Sequence, residues 1–479
     1  MGTTTRLTRR GLLKAASAGF ASSIFPAVFP GRASAAAVPP SAVMTTLSAY
    51  MSEAHVRALP ANVLEKTKYH ILDTFGAMIS GAELAPGRVA IKFARAYGGE
   101  KVATVAASNI VCGPIEAALA NGVMAHADET DDSWPTGWHP GCNVVPSALA
   151  VGEQFGITGA HFTRAVALGY DLGARMLTAL RPGVFDTHKS THSIGGIFGS
   201  AAAAACAAKL NPQQMRWVMD YTAQQSSGIA AWSRDTDHIE KGFAFGGMPA
   251  RGGVTSALLV HSGWTGVDDI LSGEDNFLLA NAPHGDLNAL IDELGERYEI
   301  MRTSIKKWTV GTPIQAPLDA LELMLKRRPI DPEQVQEIVV RMDPRTSVVN
   351  NREMPDVNIQ HMLAIMLVDK TATFRAAHDK QRMQDSAILR HRAKVRLDPA
   401  AGQPLLTITL ADGTKLSENP TAVRGTAGNP MTRAEIVEKA RDLMSPILGA
   451  APTTKLIDRI MDFENIRNVR ELRPLIQRS

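Results

Sequence analysis

The run Gly195-Gly196-Ile197-Phe198-Gly199-Ser200-Ala201-Ala202-Ala203-Ala204-Ala205-Cys206-Ala207-Ala208 is nearly all Gly, Ala and Ser, with a few apolar inserts. A helix carrying small residues on every face can pack closely all round, so this one belongs at the centre of a helical bundle. Working outward, residues 117–127 and 145–155 read as helices rich in small residues. Pro60 is placed in the first turn of a helix running through Val63, Leu64, Thr67, Ile71 and Leu72. The pattern stays mostly helical from about 42 to 300.

The character changes after about residue 300. Residues 337–342 and 393–397 read as strands. Residues 405–410 and 414–416 flank Ala411-Asp412-Gly413 as a hairpin with an Asp-Gly turn. Helical patterns at 314–327 and 358–377 lie beside these strands, which makes a separate α+β unit. Beyond Pro430, Thr432-x-x-Glu435 is a capping-box signature opening a helix to about 447, and helices near 453–462 and 468–477 follow. The expected fold is mainly α: a large all-helical domain built from both chain ends (42–303 and 427–479), with a smaller α+β lid (304–426) inserted. A cleft between two such units is the default place for a ligand.

The chain has 479 residues, 45% apolar and 20% charged, which excludes a disordered or fibrous protein. Its formal charge of +3 misleads. Residues 1–35 contain Arg6, Arg9, Arg10, Lys14 and Arg32 and no acid; without them 45 basic residues face 47 acidic ones, a net of −2. Bulk charge therefore argues against a nucleic-acid binder.

The same 35 residues read as an export signal. Thr8-Arg9-Arg10-Gly11-Leu12-Leu13-Lys14 precedes a mildly apolar stretch and two cleavage sites of the A-x-A type, ending at Ala35 and Ala37. This resembles a twin-arginine signal, which implies the export machinery as a partner and a periplasmic location. Pro26 and Pro30 interrupt the apolar stretch, and no later segment offers 18 uncharged apolar residues, so no membrane span is expected. Cys112, Cys142 and Cys206 form no C-x-x-C pair and sit among small apolar residues, as buried free thiols do.

Four loci concentrate chemistry. The densest is His126-Ala127-Asp128-Glu129-Thr130-Asp131-Asp132-Ser133-Trp134-Pro135-Thr136-Gly137-Trp138-His139-Pro140-Gly141, which packs four carboxylates and two histidines between apolar helices. Crowded acids repel, which raises some of their pKa values unless cations answer them. The stretch reads as a metal site, as a metal-free acid–base site, or as a solvated acidic loop. The second locus is Thr187-His188-Lys189-Ser190-Thr191-His192-Ser193, leading into the glycine-rich helix start. The third, Asp237-His238-Ile239-Glu240-Lys241-Gly242 followed by Gly246-Gly247, matches no nucleotide-binding glycine pattern. The fourth is Ser304-Ile305-Lys306-Lys307-Trp308, at the junction of the two units.

These loci occur in the order seen in the MmgE/PrpD family, which includes 2-methylcitrate dehydratase, cis-aconitate decarboxylase and iminodisuccinate epimerase. The most specific part is Asp131-Asp132-Ser133, a short spacer, His139-Pro140-Gly141 and Val144-Val145-Pro146-Ser147-Ala148-Leu149-Ala150. Ile71-Leu72-Asp73-Thr74-Phe75-Gly76 and Phe198-Gly199-Ser200-Ala201-Ala202-Ala203-Ala204 join it. The resemblance covers about 45–475. It implies a helical domain with an α+β lid, usually a homodimer, and no cofactor. Carried over position by position, it implies roles for His139, Lys241 and Lys306. Glu129 stands where the family commonly has Asp, and Ser133 where it has Thr. Ser190 falls in register with a second family histidine, flanked by His188 and His192, with His192 the preferred substitute; His361 aligns with a lid tyrosine. These departures mark a divergent branch.

The family's shared chemical problem is a carbanion next to a carboxylate. The resemblance therefore implies His139 and His192 for proton transfer, Lys241 and Lys306 for holding charge, and Asp131 or Asp132 for orienting a histidine. Ser133, with Glu129, Asp132, His188, Ser190, Lys307 and His361, is expected to contact substrate. The expected activity is a lyase of dehydratase type acting on a small di- or tricarboxylate-like anion, without a metal. Alternatives are an epimerase or decarboxylase on a similar acid, a periplasmic carboxylate-binding protein without catalysis, and a metal-dependent hydrolase using 126–139.

Overall fold

The computed structural model describes residues 39–181, 183–400 and 405–478; the expected export signal lies outside them. The longer helices of the first part are α1 (Ala42–Glu53), α2 (Ala61–Gly81), α3 (Ala85–Tyr97), α4 (Pro114–Ala125), α5 (Gly141–Phe155), α6 (Gly159–Ala179), α7 (Thr191–Ala207), α8 (Pro212–Gln225) and α9 (Met248–His261). Their starts follow local chemistry. Ser41 caps α1 and Thr158 caps α6, each accepting a hydrogen bond from a backbone N–H three residues on, and Asn211 with Gln214 forms a capping box on α8. Pro60 sits one position earlier than expected: its ψ of 146° makes it the N-cap rather than a first-turn residue of α2.

The expected central helix is α7, and small residues decide its neighbours. A Cβ on Gly169 of α6 would lie 2.8 Å from the Gly199 carbonyl oxygen, so the two backbones meet directly. One turn further along α6, a Cβ on Gly173 would lie 2.3 Å from Cη2 of Trp138. That indole is 1% exposed, seated between α6 and α7. The first part is not purely helical, because Ala103–Thr104 (β1) and Val111–Cys112 (β2) pair antiparallel in a short ribbon. Two-residue strands leave no alternation in the sequence to read.

From Trp308 onward a second apolar cluster forms around α10 (Thr312–Arg327), α11 (Ile359–Asp369) and a four-stranded sheet. The strands are β3 (Val335–Met342), β4 (Val395–Pro399), β5 (Leu405–Leu410) and β6 (Lys415–Glu418), in the order β4-β3-β5-β6. β3 and β4 run parallel; the other two pairings are antiparallel, with Ile338 opposite Ile408. The hairpin turn has Gly413 at φ +83°, as an Asp-Gly turn requires. The helix expected over 358–377 breaks at Lys370, whose φ of +63° ends α11; a short helix resumes at Phe374–His378 with Thr373 as its cap.

The chain then rejoins the first apolar cluster through α12 (Arg433–Leu448), opened by the Thr432–Glu435 capping box, and α13 (Ala450–Met461). The last expected helix is largely 3₁₀ over Val469–Leu472, with one α turn at Arg473–Ile476. Among the described residues no helix is long and apolar enough to cross a membrane.

Gly173→Ala must push a methyl group into the Trp138 indole. Urea unfolding is expected to show a loss of about 1–3 kcal/mol, the usual cost of overpacking; an unchanged midpoint would contradict this seating of Trp138.

Candidate active site

The acidic stretch joins α4 to α5 and is buried: Asp128, Glu129, Asp131 and Asp132 are each at most 4% exposed. Each carboxylate is answered separately. Asp132 Oδ1 accepts the Gly141 N–H at 2.8 Å, closing the start of α5, while Oδ2 accepts from Tyr170 and from His70 Nδ1, both at 2.6 Å. Asp128 accepts the Thr130 N–H at 2.9 Å and pairs with His378 Nε2 at 2.8 Å. Burial alone would raise the Asp128 carboxyl, but His378 and Thr130 bring it below its ordinary value.

Glu129 forms ion pairs with Lys241 and Lys306, the latter at 3.2 Å; Lys306 Nζ also donates to the Glu129 carbonyl at 2.9 Å. Burial opposes this charge, yet the two ammonium groups hold the carboxyl well below the usual range. Asp131 lies between two imidazoles. His126 Nδ1–H donates to Oδ2 at 2.9 Å and His139 Nδ1–H to Oδ1 at 3.1 Å. Against the effect of burial, the two rings keep Asp131 strongly ionised. One carboxylate thus sets the tautomer of both histidines, turning each Nε2 away from it.

Phe245 organises the rings. His126 stacks on it at 4.5 Å between centroids and His192 at 3.7 Å, while His139 lies 5.3 Å from His192. Burial first, then His139, His126 and Lys241, push His192 well below its ordinary pKa, so it is neutral near pH 7. Burial likewise takes His126 down to about 4.

His139, His192, Lys241, Glu129 and Ser133 line one cavity of about 570 Å³. Asp131, Asp132 and Lys306 lie behind that wall and hold its members in place. Ser133 reaches the cavity because its N–H and C=O pair with those of Ser304, both at 2.9 Å.

Four expected substrate contacts are elsewhere. Ser190 is the N-cap of α7, where its hydroxyl accepts from the Ser193 N–H at 3.3 Å and from the Ser193 hydroxyl at 2.9 Å. The side chain of His188 is exposed. Lys307 turns to Glu322 at 2.5 Å and lies over the Trp308 ring. His361 is fully buried on α11, with neither ring nitrogen partnered among the described residues, and burial lowers it to about 4. The family register that placed these residues does not say which way a side chain turns.

Residues not singled out also matter. Phe245 lies in a π-helical segment, Phe243–Gly247, next to the noted glycines, and Trp232 packs on it edge-on at 4.7 Å. His70 immediately precedes the Ile71–Gly76 block, yet nothing local marks it. Lys439 of α12 donates to Asp73 at 2.6 Å and to the Thr130 carbonyl at 3.0 Å, a partnership across hundreds of residues.

Two triads, His126–Asp131–Cys142 and His126–Glu129–His238, bring ligand atoms within 4.8 Å of one another. Their chemistry fits a cation poorly. Asp131 is already engaged by His126 and His139, and Glu129 by two lysines, so neither triad offers a free carboxylate. Cys112 and Cys206 are buried free thiols, each pushed up by burial to about 12.

A buried carboxylate orienting an imidazole at a cavity wall is an arrangement that acid–base catalysis uses. Two family models match: the MmgE/PrpD N-terminal domain over residues 45–289 and the MmgE/PrpD C-terminal domain over 308–462. The chain belongs to the MmgE/PrpD family and is an enzyme of that type, in the dehydratase and decarboxylase class of lyases. It is similar to the cis-aconitate decarboxylase of Homo sapiens, 24% identical over 451 residues covering 88% of this chain and 91% of the relative. It is also similar to that of Aspergillus terreus (strain NIH 2624 / FGSC A1156), 21% identical over 462 residues covering 87% and 92%.

The His378–Asp128 pair gives a pH test. Burial opposes the charge, but Asp128 raises His378 from an ordinary 6.5 to about 9. A raised imidazolium stabilises the fold fully below about pH 6.5 and loses that contribution as pH rises through about 9. The stability gap between the parent and His378→Gln is expected to shrink from pH 6.5 to pH 10 in urea titrations; a constant gap counts against the pairing.

Proposed function

We propose that this chain is a lyase of dehydratase type that needs no cofactor and acts on a small di- or tricarboxylate-like anion by removing a proton next to a carboxylate. The carrying observation is His139 and His192 side by side on one cavity wall, with Asp131 behind them bound to His139. Asp131 takes the Nδ1–H of His139, which leaves the Nε2 lone pair to receive the substrate proton. As that proton leaves, charge develops on the adjacent carboxylate, and Lys241 stands on the same wall to stabilise it. His139, once it carries that proton, is the imidazolium that passes it to a leaving hydroxyl, while the neutral His192 ring beside it holds that oxygen through an N–H hydrogen bond. Asp131 and Lys306 are positioning residues, acting through His139 and Glu129.

Decarboxylation is the second reading, favoured by the names of the relatives; there His192 or His139 would return a proton to the carbanion. The segment 304–426 is proposed as the lid. The Ser133–Ser304 pairing and the position of Val348, Val349 and Met354 on the cavity wall support that role. Export by a twin-arginine signal to the periplasm completes the reading, on the strength of Arg9-Arg10 and the A-x-A sites.

Deuterium uptake next to a carboxylate, followed by NMR in heavy water with a panel of carboxylic acids, tests the chemistry. His139→Ala is expected to lose at least about a hundredfold in uptake, the usual share of a general base, with its circular dichroism unchanged; near-parental uptake would sink the assignment. Lysine at positions 9 and 10 together is expected to hold the protein in the cytoplasm on fractionation, and undisturbed export refutes the signal.

A further inference from the structure

The cavity wall carries more apolar surface and less unmatched charge than a tricarboxylate uses. Trp138, Trp232 and Phe245 line it from the first apolar cluster's segments, and Val349, Met354 and Val357 line it from the 344–357 segment. The proton-transfer chemistry needs none of these six beyond the stacking on Phe245. Apolar walls of this extent favour a ligand with apolar surface of its own, because covering them releases water at about 25 cal/mol per Å².

The charges tell the same story. Lys241 shares Glu129 with Lys306, so one negative charge faces two positive ones. Arg302, at 3.2 Å from Glu299, shares that carboxylate with Arg297. Arg352 is anchored by the carbonyl oxygens of Ser233 and Asp235, at 3.1 and 3.0 Å, and pairs with no carboxylate among the described residues. Asp235, itself on the wall, adds a negative charge. Lys241, Arg302 and Arg352 are the described wall cations; the first two already share a carboxylate each and Asp235 offsets one positive charge, so less positive charge remains than the three anions of a tricarboxylate would need. Each unmatched carboxylate in a partly closed cavity is a desolvated charge without compensation.

We propose that the substrate is a dicarboxylate bearing an apolar arm of about phenyl or butyl size. Its reacting carboxylate faces Lys241, its second carboxylate faces Arg352, and its arm lies against Trp232, Met354 and Val357. The inference rests on the carbanion reading above and narrows its substrate class. Trp232 is the specificity-determining residue, since its ring also packs edge-on against Phe245 and His192 and so abuts the reacting groups.

Isothermal titration of the mature protein with 2-benzylsuccinate, 2-butylsuccinate, citrate and cis-aconitate tests this. The two substituted succinates are expected to bind at least about tenfold more tightly than either tricarboxylate, as burying one such arm implies. Trp232→Ala and Met354→Ala are each expected to shrink that ratio severalfold, with Met354→Ala leaving tricarboxylate affinity within about twofold. Tighter binding of citrate or cis-aconitate, an unchanged ratio in both variants, or no heat from any of the four overturns the proposal. Deuterium uptake in the same samples separates the two levels. Tricarboxylate preference with uptake lost in His139→Ala rejects the apolar arm and keeps the carbanion chemistry. Uptake that survives in His139→Ala rejects the carbanion chemistry whichever acid binds best.

Discussion

Everything at the centre of this protein depends on burying four carboxylates within five residues. Asp128, Glu129, Asp131 and Asp132 lie almost wholly out of water, where an uncompensated charge costs several kcal/mol. The fold meets that cost with donors and cations from widely separated segments: His70 of α2, Tyr170 of α6, Lys241, Lys306, His378 and the start of α5. Mispacking of any of these elements leaves a buried charge exposed to its neighbours. The acidic stretch therefore ties the first apolar cluster, the second cluster and the helices flanking the stretch into one arrangement.

The same compensation sets the chemistry. Because Asp131 is held ionised, His126 and His139 both point Nδ1–H at it, and a base with a defined free nitrogen follows. Because Lys241 and Lys306 are spent on Glu129, the cavity presents a balanced polar patch rather than a strongly positive pocket. Stacking on Phe245 keeps the neighbouring imidazoles dry and neutral. Charge is thus held in ion pairs at and behind the wall, and the neutral His192 ring faces the cavity.

Glycine contacts position this machinery. Gly169 and Gly199 allow α6 and α7 to touch, and Gly173 leaves room for the Trp138 ring. Trp138 in turn closes the loop that carries His139: its carbonyl accepts the Trp134 N–H at 2.8 Å across a turn with Gly137 at φ +84°. A packing rule legible as a run of small residues thereby fixes the His139 ring at the cavity wall.

The amino-acid sequence by itself determined the mainly helical class, the central small-residue helix, the strands from 335 to 418, the Asp-Gly hairpin and the Thr432 cap. These are set by contacts within a few residues, and periodicity or turn chemistry records them. Its resemblance to the family also marked His139, His192, Lys241 and Glu129, which the structure brings to one cavity. Only the tertiary structure decided which carboxylate meets which partner. Asp73 with Lys439 and Asp128 with His378 join residues hundreds of positions apart, and no local pattern encodes such a distance. It alone showed that Ser190 is spent as a helix cap, that Lys307 turns to Glu322 and that His361 is sealed in the second core. A residue type states what a side chain can do; whether it faces a cavity or a neighbour depends on packing that forms only when the distant segments meet.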